Sequence, residues 1–380
     1  MRSLNPRERF LSVYNHEKFD RVPDYEFGFW EETLRNWTEK GQLPKEVASS
    51  EKAKEYFELE KFRNWIPIEN WSHGAYSVGM YPPFERKVIE ETEEYELVRD
   101  KNGIVVRNMK KHDHMPQWIE FPVKSKEDFY ELRTERYNAP TAPERYPNWD
   151  QACQKWRNRD YPLGHFCGSL YGWLRYWTGV EKLSQLFIKD PDWVHEMMDF
   201  LTEHILQILS HVLNQLETRG VQLDYVFWWE DMCYNKGPLI SPEMFKEFML
   251  PRYKRVMELV QEHGVDVALV DSDGKIYELV PLWLEAGINC MWPIEVAHTK
   301  PETLQEKYGD KILMMGGIDK RALIEGSERA IDKELEKLPP LLKQGGYIPH
   351  VDHSIPADVD FESFHYYLEK KREIIGRKMD

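Results

Sequence analysis

From residue 180 onward, the apolar positions of the chain alternate between helical and strand-like spacing. Residues 182–217 place apolar side chains three or four positions apart and are followed by Gly220, which predicts a long helix ending there. Residues 221–229 form a short run rich in aromatic and β-branched side chains, which predicts a buried strand. The alternation continues with predicted strands at 265–270, 289–292, 312–315 and 347–349, and with predicted helices at 242–263, 276–285, 301–308, 328–343 and 361–377. A break or kink is expected at Pro339-Pro340, within the helix predicted over 328–343.

Strands and helices that alternate at this interval indicate parallel β/α units joined by right-handed crossovers. At least five such units follow one another, and this repetition favours a closed barrel over an open sheet. The 380 residues exceed the ~250 of a bare barrel, which leaves one extended barrel or two domains open. We predict an α/β fold, a (β/α)8 TIM barrel formed by a single domain over residues 1–380. Residues 37–160, rich in charge, proline and tryptophan, are predicted to be an elaboration that covers one barrel face.

Charge and cysteine usage argue against several classes of function. The net charge of −15 disfavours binding to nucleic acid or to anionic membranes, because both need basic patches. The four cysteines form no CxxC pair, which argues against a zinc ribbon or a dithiol redox centre. No stretch approaches the ~20 apolar residues of a membrane span, and the N-terminus is charged where a signal peptide needs an apolar run. We therefore expect a cytoplasmic protein without a membrane or nucleic-acid partner.

Acids and histidines follow three of the predicted strands. Because the carboxyl ends of barrel strands meet at one face, these side chains are predicted to share one polar site. The candidates are Glu230 and Asp231, Asp271 and Asp273, and His350 and His353, with Asp352 placed to orient one of the histidines. Each has an alternative structural explanation: helix capping for Asp271 and Asp273, solvation for the adjacent pair Glu230 and Asp231, and a hydrogen-bonded pair for the histidines.

Aromatic residues are frequent near these positions. Core packing is their default role, but Trp228 and Trp229 are neighbours on one predicted strand and point to opposite faces, so both cannot fill the barrel. Trp229, together with Trp30 and Phe27, is a candidate for lining a substrate cleft. An aromatic substrate or a corrin ring would suit such walls.

Several short motifs, taken in order, resemble the uroporphyrinogen decarboxylase superfamily. They span nearly the whole chain, and they are Asn5-Pro6-Arg7-Glu8-Arg9-Phe10, Asp20-Arg21-Val22-Pro23, Gly237-Pro238-Leu239-Ile240-Ser241-Pro242, Ser272-Asp273-Gly274, Gly316-Gly317-Ile318-Asp319 and Gly346-Tyr347-Ile348 with His353. The resemblance implies a (β/α)8 barrel with its site at the carboxyl ends of the strands. It also implies one of two chemistries, decarboxylation of porphyrinogen acetates or cobalamin-dependent methyl transfer.

The chain departs from both branches of that superfamily. The decarboxylase has an arginine-rich segment after its first proline, whereas residues 22–30 here are acidic and aromatic, and a polycarboxylate substrate needs cations. Tyr176 and His353 nevertheless resemble the active-site tyrosine and histidine of the decarboxylase. The thiol methyltransferases hold zinc with a His-x-Cys pair and a later cysteine. The matching positions here are Asp271, Asp273 and His353, which could still hold zinc or another divalent ion.

The resemblance, the missing arginines and the acid and histidine cluster together favour a cobalamin-linked methyltransferase. It would move a methyl group from a small methylated substrate, such as an aryl methyl ether in an O-demethylase reaction, to a corrinoid protein that carries the cobalamin. Asp273, His353 and Glu230 are predicted to hold a zinc ion or to donate a proton to the leaving oxygen, and Tyr176 to hydrogen-bond the substrate. The predicted substrate-binding residues are Asp231, His350, Asp271, Trp229, Trp30 and Phe27.

Two other hypotheses remain open from the sequence. One is a carboxy-lyase of the uroporphyrinogen decarboxylase type, favoured by Tyr176 and His353 and opposed by the missing arginines. The other is a non-catalytic barrel that binds a tetrapyrrole or a corrinoid protein. The resemblance also implies that the protein can form a homodimer.

Overall fold

A computed structural model describes residues 2–61, 65–66, 78–110 and 115–377. Its strands are β1 (Trp65–Ile66), β2 (Lys87–Glu91), β3 (Tyr95–Arg99), β4 (Val105–Met109), β5 (Gln117–Glu120), β6 (Gly164–Gly168), β7 (Tyr225–Trp229), β8 (Cys233–Tyr234), β9 (Gly237–Pro238), β10 (Ala268–Asp271), β11 (Cys290–Ile294), β12 (Leu313–Ile318) and β13 (Tyr347–Val351).

The helices lie mainly between the strands. They are α1 (Pro6–Tyr14), α2 (Glu31–Glu39), α3 (Ser50–Tyr56), α4 (Lys126–Arg136), α5 (Trp149–Arg157), α6 (Tyr171–Thr178), α7 (Val180–Lys189), α8 (Pro191–Glu217), α9 (Pro242–Met244), α10 (Leu250–Glu262), α11 (Val280–Glu285), α12 (Pro301–Tyr308), α13 (Lys320–Glu325), α14 (Glu328–Leu335), α15 (Leu338–Gln344) and α16 (Phe361–Ile375). Among the described residues, no helix is long and apolar enough to cross a membrane.

Seven parallel strands form the barrel sheet, in the order β1-β6-β7-β10-β11-β12-β13. The ring of Phe227 lies 5.1 Å from that of Trp292 although β10 separates their strands, so this contact crosses the barrel interior. The next residue, Trp228, packs instead edge-to-face on Tyr253 of α10 in the helix layer. The α/β fold and the TIM barrel predicted from the sequence are confirmed, and the two tryptophans of β7 do occupy opposite faces.

Residues 22–30 occupy the eighth position of the barrel, between the last strand and the chain that leads to β1. The carboxylate of Glu26 accepts a hydrogen bond from the Val351 amide at 3.0 Å, and Phe29 forms a parallel bridge with Ile355. On the other side, the Asp24 carbonyl oxygen accepts from the amide of Glu60, shortly before β1. Seven of its nine residues are buried, and these contacts attach it to β13 on one side and to the chain before β1 on the other.

An ion cluster fixes that segment to the C-terminal helix α16. The ammonium of Lys371 is fully buried and lies 2.9 Å from Asp24 and 2.5 Å from Glu26. Burial opposes ionisation of Asp24, but the charges of Lys371 and Arg372 outweigh it and lower the pKa of that carboxyl well below its usual range. The same carboxylates raise the pKa of Lys371 against the effect of burial. Asp24 and Lys371 are therefore ionised, and their pairing fixes residues 22–30 to α16.

A four-stranded antiparallel sheet, in the order β2-β3-β4-β5, lies within residues 37–160. Its buried face carries Val98 and Val106, which pack with Trp118 and with Tyr176 of α6. The same stretch of sequence also holds β1, which belongs to the barrel, and the helices α3, α4 and α5. The antiparallel sheet thus rests on the barrel beside the helix that follows β6.

The predicted elements agree with the observed ones except where a proline or a turn intervenes. The helix predicted over 182–217 is two helices, because Asp190 caps the N-terminus of α8 and Pro191 occupies its first position. The helix predicted over 276–285 starts later, at Val280, after a turn. Strand β13 continues two residues beyond the predicted 347–349, and this extension carries His350 within the strand.

Candidate active site

The carboxyl ends of β7, β10, β11 and β13 bring four acids together at one end of the barrel. We call this group the acidic cluster, and it consists of Asp231, Asp273, Glu295 and Asp352. In the part of the chain that the structure describes, two cations face it, Arg175 from α6 and Lys320 from the start of α13. Because these residues come from distant parts of the chain, only the closed barrel places them side by side.

Asp273 stands in a tight turn after β10. Gly274, the next residue, has a φ of +82°, and a Cβ there would lie 2.8 Å from the backbone of Tyr234, so the turn requires glycine. The amide of Gly274 donates to Glu295 at 2.9 Å. The Oδ1 atom of Asp273 is buried and receives no hydrogen bond from the described residues. Burial, and then the charges of Asp231 and Glu295, raise the pKa of Asp273 to about 7.

Asp352 follows β13 and is only 1% exposed. Its Oδ1 atom lies 3.4 Å from the ammonium of Lys320, which is also 3.9 Å from Glu295, and accepts no hydrogen bond from the described residues. Burial raises the pKa of Asp352 to about 6, although the Lys320 charge opposes this. Lys320 is thus the cation shared by two members of the acidic cluster.

Asp231 is held by Arg175 in a strained backbone conformation. Its φ is +42°, which is uncommon for a residue with a side chain. Arg175 donates to both the carbonyl oxygen and the Oδ2 atom of Asp231, each at 2.8 Å. The Arg175 guanidinium also lies 5.5 to 5.9 Å from the ring centroids of Trp229, Trp118 and Tyr176. Asp231 is therefore fixed at the junction of the barrel and the antiparallel sheet.

Glu230, one residue earlier, is fully buried and occupied by hydrogen bonds. Its two carboxylate oxygens accept from the Ser169 hydroxyl and from three backbone amides at the N-terminus of α6, at 2.8 to 3.3 Å. Burial raises the pKa of Glu230, and these hydrogen bonds oppose the rise. The arrangement is a helix cap, which stabilises the first turn of α6. Both carboxylate oxygens of Glu230 are used in these contacts, which leaves neither for the catalytic and metal-binding role predicted from the sequence.

The two predicted histidines differ in their surroundings. His350 is buried: the indole N–H of Trp292 donates to its Nε2 at 3.2 Å, and its Nδ1 lies 2.6 Å from the Val351 carbonyl oxygen. These contacts assign a neutral ring that donates from Nδ1. His353 is half-buried and stacks on Phe27 at 4.9 Å and on Trp30 at 6.3 Å. His353 therefore stands at the mouth of the barrel between two aromatic rings.

A series of aromatic rings runs from the mouth into the barrel interior. From His353 they continue through Phe27 and Trp292, whose centroids lie 5.0 Å apart, to Phe227 and Phe166. We call this series the aromatic wall. On the side of the antiparallel sheet, the rings of Tyr176 and Trp229 meet edge-to-face at 4.8 Å. Burial raises the pKa of Tyr176, so its hydroxyl keeps its proton at neutral pH.

The structure brings most of the predicted residues to one end of the barrel. Asp231, Asp273, His353, Phe27, Trp30, Trp229 and Tyr176 all lie there. Asp271 is the last residue of β10, in register with Trp229 and Trp292, and its carbonyl oxygen accepts from the amides of Glu230 and Asp231. The sequence analysis missed Glu295, Lys320 and Arg175. The first two follow strands, so strand-end position alone could have identified them, whereas Arg175 lies within a helix.

The predicted zinc ligands do not form a centre in this structure. Within the described ranges, no group of three or more His, Cys, Asp and Glu side chains could hold a metal ion. Glu230 is committed to the α6 cap, and His353 lies in the aromatic stack. The residues thus do not fit zinc as arranged, and metal analysis of the purified protein is the direct test.

Comparison with known proteins gives matches over most of the chain. A family profile described as uroporphyrinogen decarboxylase (URO-D) matches residues 106–374. Uroporphyrinogen decarboxylase 2, chloroplastic, of Oryza sativa subsp. japonica is 20% identical over 198 residues, 51% of this chain and 46% of that protein. Uroporphyrinogen decarboxylase of Idiomarina loihiensis is 23% identical over 238 residues, 58% of this chain and 60% of that protein. The chain spans about half the length of the curated relatives it matches.

Among solved structures, a methyltransferase from Methanosarcina mazei superposes with a TM-score of 0.61. The superposition covers 98% of this chain and 99% of that one, at 14% sequence identity. At such low identity the match demonstrates a shared fold.

Proposed function

The chain belongs to the uroporphyrinogen decarboxylase family of barrel enzymes, and on that basis we propose that it is a corrinoid-dependent methyltransferase. It takes a methyl group from a small methylated substrate, an aryl methyl ether, and passes it to the Co(I) of a corrinoid protein, which is its second substrate. The cobalamin travels with that partner protein.

The observation that carries the proposal is the state of Asp273. Its carboxyl group is buried, unbonded at Oδ1 and crowded by other acids, and its raised pKa of about 7 leaves it partly protonated near neutral pH. Breaking the methyl carbon–oxygen bond of an ether leaves the bonding electron pair on oxygen, which is a poor leaving group. Asp273 supplies the proton that this oxygen needs, while the methyl group goes to the cobalt of the acceptor.

The surrounding residues suit the binding of an aromatic ring. At the mouth, the half-buried rings of Phe27 and His353 stack on each other, and aromatic ligands pack on such rings in stacked or edge-to-face geometry. The Tyr176 hydroxyl stays protonated and is available to hydrogen-bond the substrate. We assign His353 to positioning, because it lies between Phe27 and Trp30.

A decarboxylase is the second candidate, because the curated relatives carry that name. A porphyrinogen substrate brings several carboxylates and needs cations to receive them. At the mouth, Arg175 already holds Asp231, and Lys320 already faces Asp352 and Glu295. This charge balance favours methyl transfer over decarboxylation.

The test is demethylation of methoxybenzene derivatives by the purified chain with a reduced corrinoid protein. Conversion of Co(I) to methyl-cobalt is followed by absorbance, and the demethylated product is quantified. Methyl transfer that requires the chain supports the proposal. Carbon dioxide release from uroporphyrinogen III, without demethylation of any methoxy compound, would establish the decarboxylase instead.

A further inference from the structure

We propose that the methyl donor is an uncharged aryl ether whose ring carries an O–H or N–H group and no carboxylate, and that Asp352 accepts the hydrogen bond from that group. This inference rests on the proposed function and specifies its substrate class. It assigns to Asp352 the role of a specificity-determining residue at the mouth of the barrel.

Unsatisfied oxygens are the first basis for this proposal. The Oδ1 atoms of Asp273 and Asp352 are both buried and accept no hydrogen bond from the described residues. Burying a carboxylate oxygen without a hydrogen-bond donor costs free energy. Such atoms in a binding site therefore favour a ligand that supplies hydrogen-bond donors. Asp273 gives its own proton to the ether oxygen in the proposed reaction. The Oδ1 atom of Asp352 then remains as the acceptor for a second polar group of the methyl donor.

Lys320 favours the ionised form of Asp352, against the burial that raises its pKa to about 6, and stands beside it at the mouth. Its ammonium lies 3.4 Å from Asp352 and 3.9 Å from Glu295, distances longer than those of strong charge-assisted hydrogen bonds. The Lys320 side chain is 30% exposed, and its ammonium sits on a flexible stem that can move aside when a ligand enters. An O–H or N–H group that enters beside it forms a hydrogen bond to an ionised acceptor, the stronger kind.

The charges of the mouth exclude a carboxylate on the donor. Among the described residues, when Asp273 holds its proton, the three other acids of the cluster face two cations, Arg175 and Lys320, which leaves one negative charge in excess. Both cations already contact acids, so a substrate carboxylate would meet repulsion without a partner. Each of these three acids already contacts a cation, so none is left to pair with a positively charged methyl donor. The aromatic wall suits the face of an aromatic ring.

Binding of ring-substituted methoxybenzenes to the purified chain tests the inference without a corrinoid protein. Calorimetry at pH 6.5 compares three isomeric methoxyphenols and a methoxyaniline with methoxybenzene, the methoxybenzoates and trimethylanilinium. We expect at least one methoxyphenol or the methoxyaniline to bind about tenfold or more tightly than methoxybenzene, and the methoxybenzoates to bind more weakly still. Equal affinities, or a preference for a methoxybenzoate or for trimethylanilinium, would overturn the inference.

Two variants locate the effect at Asp352. Asp352→Asn keeps the shape of the side chain and removes its charge, and it should bring the preference for the phenol or aniline below about threefold. Asp358→Asn changes an exposed acid of the same loop and should leave the preference as in the wild type. Thermal unfolding verifies that both variants are folded. If Asp352→Asn retains the full preference, Asp352 is not the acceptor.

Failure of this inference is distinguishable from failure of the proposed function. Selective binding without methyl transfer to a corrinoid protein would retain the ligand class and reject the methyltransferase. Methyl transfer from a methoxybenzoate as fast as from a methoxyphenol would retain the methyltransferase and reject the ligand class.

Discussion

At the scale of single residues, the site is defined by where carboxyl groups are left unsatisfied. Glu230 and Asp273 are both buried acids at strand ends, and the sequence predicts a catalytic role for both. Their surroundings separate them, because Glu230 accepts four hydrogen bonds from the start of α6 and Asp273 has an oxygen that accepts none. Strand-end position was readable from the sequence. The hydrogen-bond partners decide whether an acid caps a helix or is available for catalysis. They could not be predicted from the sequence, because the partners of Glu230 lie about 60 positions away in the chain.

Replacing Asp273 by Asn should abolish proton donation while keeping the size of the side chain. We expect the rate of demethylation to fall by about 10²- to 10⁴-fold, the usual contribution of a general acid. Steady-state assays with a corrinoid protein measure this. Asp310→Asn, which alters an exposed acid, is the matched control and should leave the rate unchanged. An Asp273→Asn enzyme with wild-type activity would remove Asp273 from the mechanism.

The pH dependence of the reaction should follow the protonation of the same group. Because burial and the neighbouring acids raise the pKa of Asp273 to about 7, the acid form predominates below that pH. The rate should therefore be high below pH 7 and fall about tenfold per pH unit above it. A pH–rate profile of the wild type checks this, and a profile that rises through pH 7 would mean that Asp273 acts as a base.

Asp273 should also weaken the fold at high pH. An unfolded aspartate titrates near pH 3.9, so between about pH 4 and pH 7 the folded chain holds a proton that the unfolded chain has released. Stability contributed by this group is therefore lost as the pH rises through that window. Denaturant unfolding should show Asp273→Asn more stable than the wild type by up to about 4 kcal/mol at pH 8, and little different at pH 4. An equal difference at both pH values would contradict the raised pKa.

At the scale of elements, the link between β7 and α6 depends on Glu230. Strand β7 ends just before this residue, and its carboxylate caps the helix that follows the neighbouring strand β6. The sequence predicted β7 and most later strands and helices within a few residues, because apolar spacing is a local property. It predicted no strands in residues 87–120. The four strands there have four or five residues each and only Val98 and Val106 are fully buried among them, so they lack the apolar pattern that a buried strand shows.

Truncating Glu230 should destabilise the protein, because several donors at the start of α6 lose their acceptor. We expect Glu230→Ala to lower the free energy of unfolding by about 2 to 4 kcal/mol. Glu258→Ala, at an exposed position in α10, should change it by less than about 0.5 kcal/mol. Urea denaturation provides both values. A stable Glu230→Ala protein that has lost all activity would instead restore the catalytic role predicted from the sequence.

At the scale of the whole molecule, buried charge fixes the segment that lies between the two edges of the barrel sheet. Asp24 and Glu26 near one end of the chain surround Lys371 near the other, and all three side chains are buried. This cluster could not be predicted from the sequence, because Lys371 lies more than 340 positions from Asp24 and Glu26. Each of the three resembles an ordinary surface charge in the sequence. Only three-dimensional proximity distinguishes Lys371 from its neighbour Lys370.

Removing the cation of this cluster should be among the most damaging single changes to stability. Lys371→Met leaves two buried carboxylates without their shared partner, for an expected loss of about 3 to 5 kcal/mol. Lys370→Met, which removes a surface pair with Glu373 and an exposed contact with the Tyr366 ring, should cost less than about 1 kcal/mol. Thermal and urea unfolding of the two variants measure the contrast. Equal losses would show that the buried cluster contributes no more than a surface pair.

The ion cluster also sets the order in which a ribosome can complete this molecule. Residues 24 and 26 are synthesised early, but the cation that neutralises them lies in α16, which emerges after every strand of the barrel. Until then the first segment keeps its carboxylates in water, and the growing sheet retains two open edges. Barrel closure is therefore a late event of translation, and a nascent chain arrested before residue 371 should be far more sensitive to protease than the finished protein.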